Sequence, residues 1–132
     1  MKKLLFFDID GTLVDFGNST MSPSTADALI NAKQNGHMIF LCTGRSYNQI
    51  YPSLKAFDFD GVDIDWEYPR TTDGSKQQYE DFLLRLRRLL SGKLLTAAIL
   101  AGLDGKNEPS RSAAEAIDFP AVELLDQINL MT

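Results

Sequence analysis

The chain has 132 residues, 44% of them hydrophobic and 23% charged, the make-up of one globular domain with room for a core. Its formal net charge of -5 excludes the basic face that nucleic acid or an anionic membrane surface requires, so neither is expected as a partner. The most apolar run, LLTAAILAGL, falls well short of the ~18 residues of a membrane span, and one Cys with one His is too few for the usual zinc ligand sets. MKK leads straight into a short apolar strand without the length or cleavage site of a secretory leader, so a reducing cytoplasm is expected. Cys42 is then read as a buried core thiol.

In chain order, KLLFFDI predicts a strand, apolar on both faces as a central parallel strand should be. SPSTADALINAKQNG predicts a helix, with Ser22 as N-cap, Pro23 at the first helical position and Gly36 past the C-terminus. HMIFLCT predicts the second strand. SYNQIYPSLKAF has a helical repeat at Ile50, Leu54 and Phe57, where Pro52 must kink or start the helix. GVDIDWE predicts the third strand. SKQQYEDFLLRLRRLLSG predicts the clearest helix, its stripe running through Tyr79, Phe82, Leu83, Leu86 and Leu90, with Arg85, Arg87 and Arg88 mostly outside it. KLLTAAILAG predicts the fourth strand. From Leu103 to Asp118 come turn residues and a short Ala-rich helix, then a helical turn near PAVELLD, and QINLM is the fifth strand.

Strands alternating with helices predict an α/β fold: a single domain over 1–132 built on one open, parallel five-stranded sheet. Parallel crossovers are right-handed, so sequential strand order would put every helix on one face and leave the other bare. Bare apolar surface costs about 25 cal/mol per Å². A monomer avoids this with helices on both faces, as in the flavodoxin-like order 2-1-3-4-5, which is the favoured expectation. The alternative is a sequential half-barrel order, its bare face buried in a homodimer.

FFDIDGTLVD, followed after the next strand by FLCTGRS, resembles the first two motifs of the haloacid dehalogenase-like phosphohydrolases, closest to their Cof-type sugar-phosphatase branch, over about residues 1–60, with 1–58 as that half of the domain. The resemblance implies that Asp8 attacks phosphorus, that Asp10 protonates the leaving group and then activates water, and that Thr43 holds phosphate. Mg²⁺ at Asp8 and Asp10 would offset the clash between carboxylate and phosphate dianion. The chain departs from that family in lacking its later lysine and its "GD"-type acidic motif in their usual contexts. Lys76 and Lys93 stand instead at a helix start and ahead of a strand.

FDGVDIDWEYP resembles the signature strand of the family 18 chitinases, which are TIM barrels, and KLLTAAILAG and LLDQINLMT resemble the next two barrel strands, over about residues 57–132, with 59–132 as that half of the domain. The resemblance implies that Glu67 protonates the glycosidic oxygen, that Asp65 orients the sugar's N-acetyl group, and that Asp63 tunes the pair. A strand's period of two would set all three acids in one column. The barrel's opening and closing strands have no counterpart, nor does the aromatic floor of a sugar cleft.

Two resemblances meeting inside FDFDG imply an engineered fold chimera, a folding and evolution scaffold with no native catalysis and no required cofactor. The rival expectation is a weak Mg²⁺-dependent phosphatase using Asp8, and behind it a residual glycoside hydrolase. In the order 2-1-3-4-5 the first and third strands would pair, bringing Asp63, Asp65 and Glu67 toward Asp8 and Asp10 and inviting a divalent cation.

Overall fold

The computed structural model describes residues 1–101 and 108–131, so Gly102 and the first part of the turn-rich stretch after it lie outside the described residues. The elements are β1 (Leu4–Phe7), α1 (Pro23–Gln34), β2 (Met38–Thr43), a 3-10 turn (Tyr47–Gln49), α2 (Pro52–Lys55), β3 (Gly61–Ile64), α3 (Ser75–Leu89), β4 (Leu94–Leu100), α4 (Glu108–Glu115), α5 (Phe119–Val122) and β5 (Gln127–Met131).

The five strands form one sheet in the order β1-β2-β3-β4-β5, with β1 parallel to β2 and β4 parallel to β5. The α/β class and the open five-stranded sheet are therefore as expected, and the sequential alternative replaces the favoured 2-1-3-4-5. In the sequential order β1 is an edge strand, with Leu4 43% and Phe6 37% exposed. With β2 between them, β1 and β3 do not pair, which removes the reason for the two acid strands to converge.

The chain divides into two compact units, Met1–Asp63 and Ile64–Thr132. In the first, α1 forms where its local chemistry dictates. Ser22 Oγ accepts the Thr25 N–H at 3.1 Å, and Pro23 occupies the first turn. At the other end Gly36, at φ +80°, closes a Schellman motif: its N–H donates to Lys33 and the His37 N–H to Ala32. The unit's core gathers Ile9, Leu13, Leu29, Ile39, Leu41 and Leu54, with Phe7 and Met21 packed against it. Pro52 starts α2 rather than kinking a longer helix.

In the second unit α3 buries Tyr79, Leu83 and Leu86, three members of the predicted stripe. Burial of each such side chain contributes about 1.5–3 kcal/mol. Leu95, Ala97 and Ile99 of β4 are likewise buried. Arg87 also turns inward: its guanidinium donates to the Leu124 carbonyl from Nε at 2.9 Å and Nη2 at 2.5 Å. Lys76 Nζ pairs with Asp118 at 2.5 Å. Thr71 donates its N–H to the buried Ser112 hydroxyl at 3.1 Å. No helix among the described residues is long and apolar enough to cross a membrane.

Candidate functional site

The end of β1 continues into a tight reversal. Ile9 is fully buried and its carbonyl accepts the N–H groups of Leu13 and Val14 at 3.1 and 2.9 Å, while Gly11 returns its own N–H to Val14 at 2.8 Å. Gly11 sits at φ +72°, where a Cβ would lie 2.8 Å from the Phe16 ring. The turn leaves Asp8 exposed at the strand tip and Asp10 half-buried two residues on.

Asp10 does not stand free. Arg45 grips it with a two-pronged contact, Nη2 to Oδ1 at 2.6 Å and Nε to Oδ2 at 2.8 Å. The same guanidinium donates from Nη1 to the Gln49 carbonyl at 2.8 Å and lies 4.8 Å from the centroid of the Tyr51 ring, beside that residue's hydroxyl. A bidentate Arg–carboxylate contact is the strong form of such a pair. The bond to Asp10 raises the guanidinium's pKa further above its already high value. Thr43, the last residue of β2, is buried, and its hydroxyl accepts the Arg45 N–H at 2.9 Å. Thr43 thus shapes the backbone that aims Arg45 at Asp10.

Of the predicted phosphatase set, Asp10 and Thr43 are therefore joined through Arg45, and Asp8 stands beside them on the chain, facing solvent. Arg45 was present in the TGRS motif and carries more contacts than any residue singled out there. The available signal was a cation two positions beyond a strand-end Thr, opposite a loop rich in acids.

The second acid set divides at the end of β3. Asp63 belongs to the strand and is buried, 3% exposed, where its Oδ2 accepts from Cys42 Sγ at 3.3 Å. Cys42 is half-buried and bonded, rather than simply a core thiol. The strand was expected to run to Glu67, yet it ends at Ile64, so the period of two does not carry Asp65 and Glu67 into one column with Asp63. Beyond Ile64 the backbone answers instead to Trp66, whose ring meets Tyr79 and Phe82 edge-on at 5.7 and 6.1 Å. Glu67 is exposed and is hydrogen-bonded by the Tyr68 hydroxyl; that bond, with the negative charges of Glu67 and Asp65 nearby, raises the Tyr68 phenol above its ordinary value. Tyr68 was not singled out in the sequence, since its place after Glu67 carries no periodic signal.

A hard divalent cation takes several oxygen ligands. Arg45 already neutralises Asp10, and among the described residues no group of three or more His, Cys, Asp and Glu side chains gathers to hold a metal. One exposed carboxylate, Asp8, does not make a fitting Mg²⁺ site.

Two families of known proteins match this chain, overlapping over residues 44–68. Residues 5–68 match the haloacid dehalogenase-like hydrolases and residues 44–132 match the glycosyl hydrolases family 18. A relative named "Probable chitinase 2", from Drosophila melanogaster, is 38% identical over 64 residues, 45% of this chain and 13% of its own length. "Putative phosphatase YkrA" of Bacillus subtilis (strain 168) is 38% identical over 53 residues, 40% of this chain and 20% of its own length. The chain thus spans a fifth or less of these relatives. Among solved structures, a GH18 chitinase from Pseudoalteromonas aurantia shares the fold, with a TM-score of 0.60 and 12% identity over 98% of this chain and 67% of that one. The two matches on one short chain fit a chimera of the two families, and the larger of them, spanning more than half of the residues, shows that the chain belongs to the glycosyl hydrolases family 18.

Proposed function

We propose that this chain is a designed fold scaffold that joins pieces of two hydrolase families and turns over neither family's substrate. The observation that carries this reading is the two-pronged hold of Arg45 on Asp10. A residue that must first give a proton and then take one works with a free carboxyl near its substrate. Asp10 is instead committed to a guanidinium that is itself anchored on Gln49 and Tyr51. Loss of such placed charge costs several kcal/mol of transition-state stabilisation at a phosphoryl-transfer site, typically about 3–4 per group.

The rival reading is a weak phosphatase using the exposed Asp8. Turnover of p-nitrophenyl phosphate with added Mg²⁺, measured for the native chain and for Asp8→Asn, separates the two. The scaffold reading expects no difference between them. Turnover that disappears on Asp8→Asn overturns it. Hydrolysis of a fluorogenic chitobioside, lost on Glu67→Gln, would overturn it from the other side.

A further inference from the structure

Strand β1 is hydrogen-bonded to β2 on one side only, and both strands lie in the first unit. That pairing fixes the directions of its backbone groups. The Lys3 carbonyl accepts the Met38 N–H at 2.9 Å and the Lys3 N–H donates to His37 Nδ1 at 3.3 Å, so Lys3 faces β2. By the alternation of a strand Leu5 and Phe7 face β2 as well, and the N–H and C=O groups of Leu4 and Phe6 point out of the open edge. Natural edges are blunted by a charge, a proline or a bulge, yet LLFF carries neither a charge nor a proline. Exposure alternates in step through Asp8 and Ile9, so Leu4, Phe6 and Asp8 share the outer face, with Lys2 ahead of them. Leu4 is 43% and Phe6 37% exposed, and among the described residues neither Lys2 nor Asp8 has an ion-pair partner.

From these features we propose that a second copy of this chain is the partner, its β1 adding antiparallel to β1 about a two-fold axis at Leu5. The outer face, Lys2, Leu4, Phe6 and Asp8, is complementary to itself when reversed. With Leu5 opposite Leu5 of the second copy, Leu4 comes opposite Phe6 and Lys2 opposite Asp8, and the two-fold axis makes each pair occur twice. Leu4 and Phe6 are then the residues whose outward N–H and C=O groups exchange bonds, as a hydrogen-bonded pair of an antiparallel ladder does. The neighbouring registers lose this match. An axis at Phe6 would set Leu4 against Asp8, and one at Leu4 would set Lys2 against Phe6. Parallel addition would put Lys2 beside Lys2 and Asp8 beside Asp8, and like charges placed so are destabilising. The second copy occupies the open side of β1, so this contact closes at a dimer.

Sedimentation equilibrium tests this. The native chain is expected to form a dimer as its concentration rises. Asp8→Lys, which sets two like-charge pairs across the contact, should weaken it about tenfold, and adding Lys2→Asp to that variant should restore it. In a Cys42→Ser background, oxidised Leu5→Cys should link the two copies covalently, because facing Cα atoms of a non-hydrogen-bonded pair stand about 4.5 Å apart. Phe6→Cys, whose mate lies on the diagonal, should not. Amide exchange in the native chain gives a readout free of any folding defect: the Leu4 and Phe6 N–H groups should slow on raising the concentration, and those of Leu5 and Phe7 should change less. A native chain that is monomeric throughout, Leu4 and Phe6 exchange independent of concentration, or a dimer that Asp8→Lys does not weaken and Leu5→Cys does not link would each overturn the proposal.

Discussion

Arg45 closes on Asp10 with two hydrogen bonds, at 2.6 and 2.8 Å, and so ties the loop after β1 to the loop after β2. The pair is about one third exposed on each side, where isolated ion pairs contribute little, but the geometry is bidentate and the guanidinium is braced on Gln49 and Tyr51. A double-mutant cycle with Arg45→Met and Asp10→Asn should give a coupling of about 1 kcal/mol in urea unfolding. Arg45→Lys should recover less than half of it, since an ammonium cannot make both contacts while reaching Gln49. Coupling within error of zero would mean that the grip is incidental.

A second relationship occurs once in each unit. Asp60, just before β3, exchanges two bonds with Ile39, the second residue of β2: its Oδ2 accepts the Ile39 N–H at 2.8 Å and its N–H donates to the Ile39 carbonyl at 2.8 Å. Asp126, just before β5, does the same with Leu95, the second residue of β4, at the same two distances. Each acid also faces a cation from the last turn of the helix that precedes the clipped strand. Lys33 of α1 lies 3.5 Å from Asp60, and Arg87 of α3 lies 2.8 Å from Asp126. Ile39 and Leu95 are fully buried, so removing the acceptor strands a buried N–H. Asp60→Ala and Asp126→Ala should each destabilise by about 1–3 kcal/mol, while the Asn variants, which keep an acceptor oxygen, should cost less than half of that. Denaturant titration of the four variants checks both the size and the order.

That shared clip bears on what was legible in the sequence. Helix α1 was readable because Ser22, Pro23 and Gly36 act within one turn of where they stand, and the stripe of α3 was readable because burial repeats with the helix. The Thr43 end of β2 was placed correctly for the same local reason, whereas β1 was expected to run to Ile9 and ends at Phe7. Strand order was not readable, because it depends on whether exposed Leu4 and Phe6 are tolerated at an edge, a property of the assembled sheet. Nor was the end of β3, since alternation persists through Glu67 in the sequence while the Trp66 ring takes its lead from Tyr79 and Phe82 on α3. Arg45's hold on Asp10 required knowing that two loops meet, and no periodicity encodes that.

Core packing gives a prediction specific to each unit. Leu54 and Leu83 are both fully buried, Leu54 in the cluster around Ile9 and Ile39, Leu83 on the inner stripe of α3. Replacing either by Ala removes its packing and leaves a void, at a cost of about 2–5 kcal/mol. Amide exchange should localise the first loss to residues 1–63 and the second to residues 64–131. Equal loss of protection in both ranges from either substitution would show that the chain opens as one cooperative body.

Three acids of the second unit should contribute acid sensitivity. Asp73 is held below the usual carboxylate value of 3.8 by the hydroxyl and N–H of Ser75, and Asp118 by the Lys76 ammonium. Burial pushes Asp126 up, but the Leu95 N–H and Arg87 more than offset it and leave it below 3.8 as well. With folded values depressed, the unfolded chain binds protons first as pH falls, so the stabilisation is present above 3.8 and is lost as pH drops through the lower folded values. Lys76 is raised above 10.5 by Asp118, so its share persists through neutral pH and disappears only as pH climbs past that range. The melting temperature should therefore be flat near neutrality and fall below about pH 4. Asp118→Asn should flatten that fall, because a side chain that cannot titrate no longer distinguishes the folded from the unfolded chain. An acid limb of unchanged steepness in Asp118→Asn, measured by thermal melts from neutral pH downward, would assign the sensitivity to other groups.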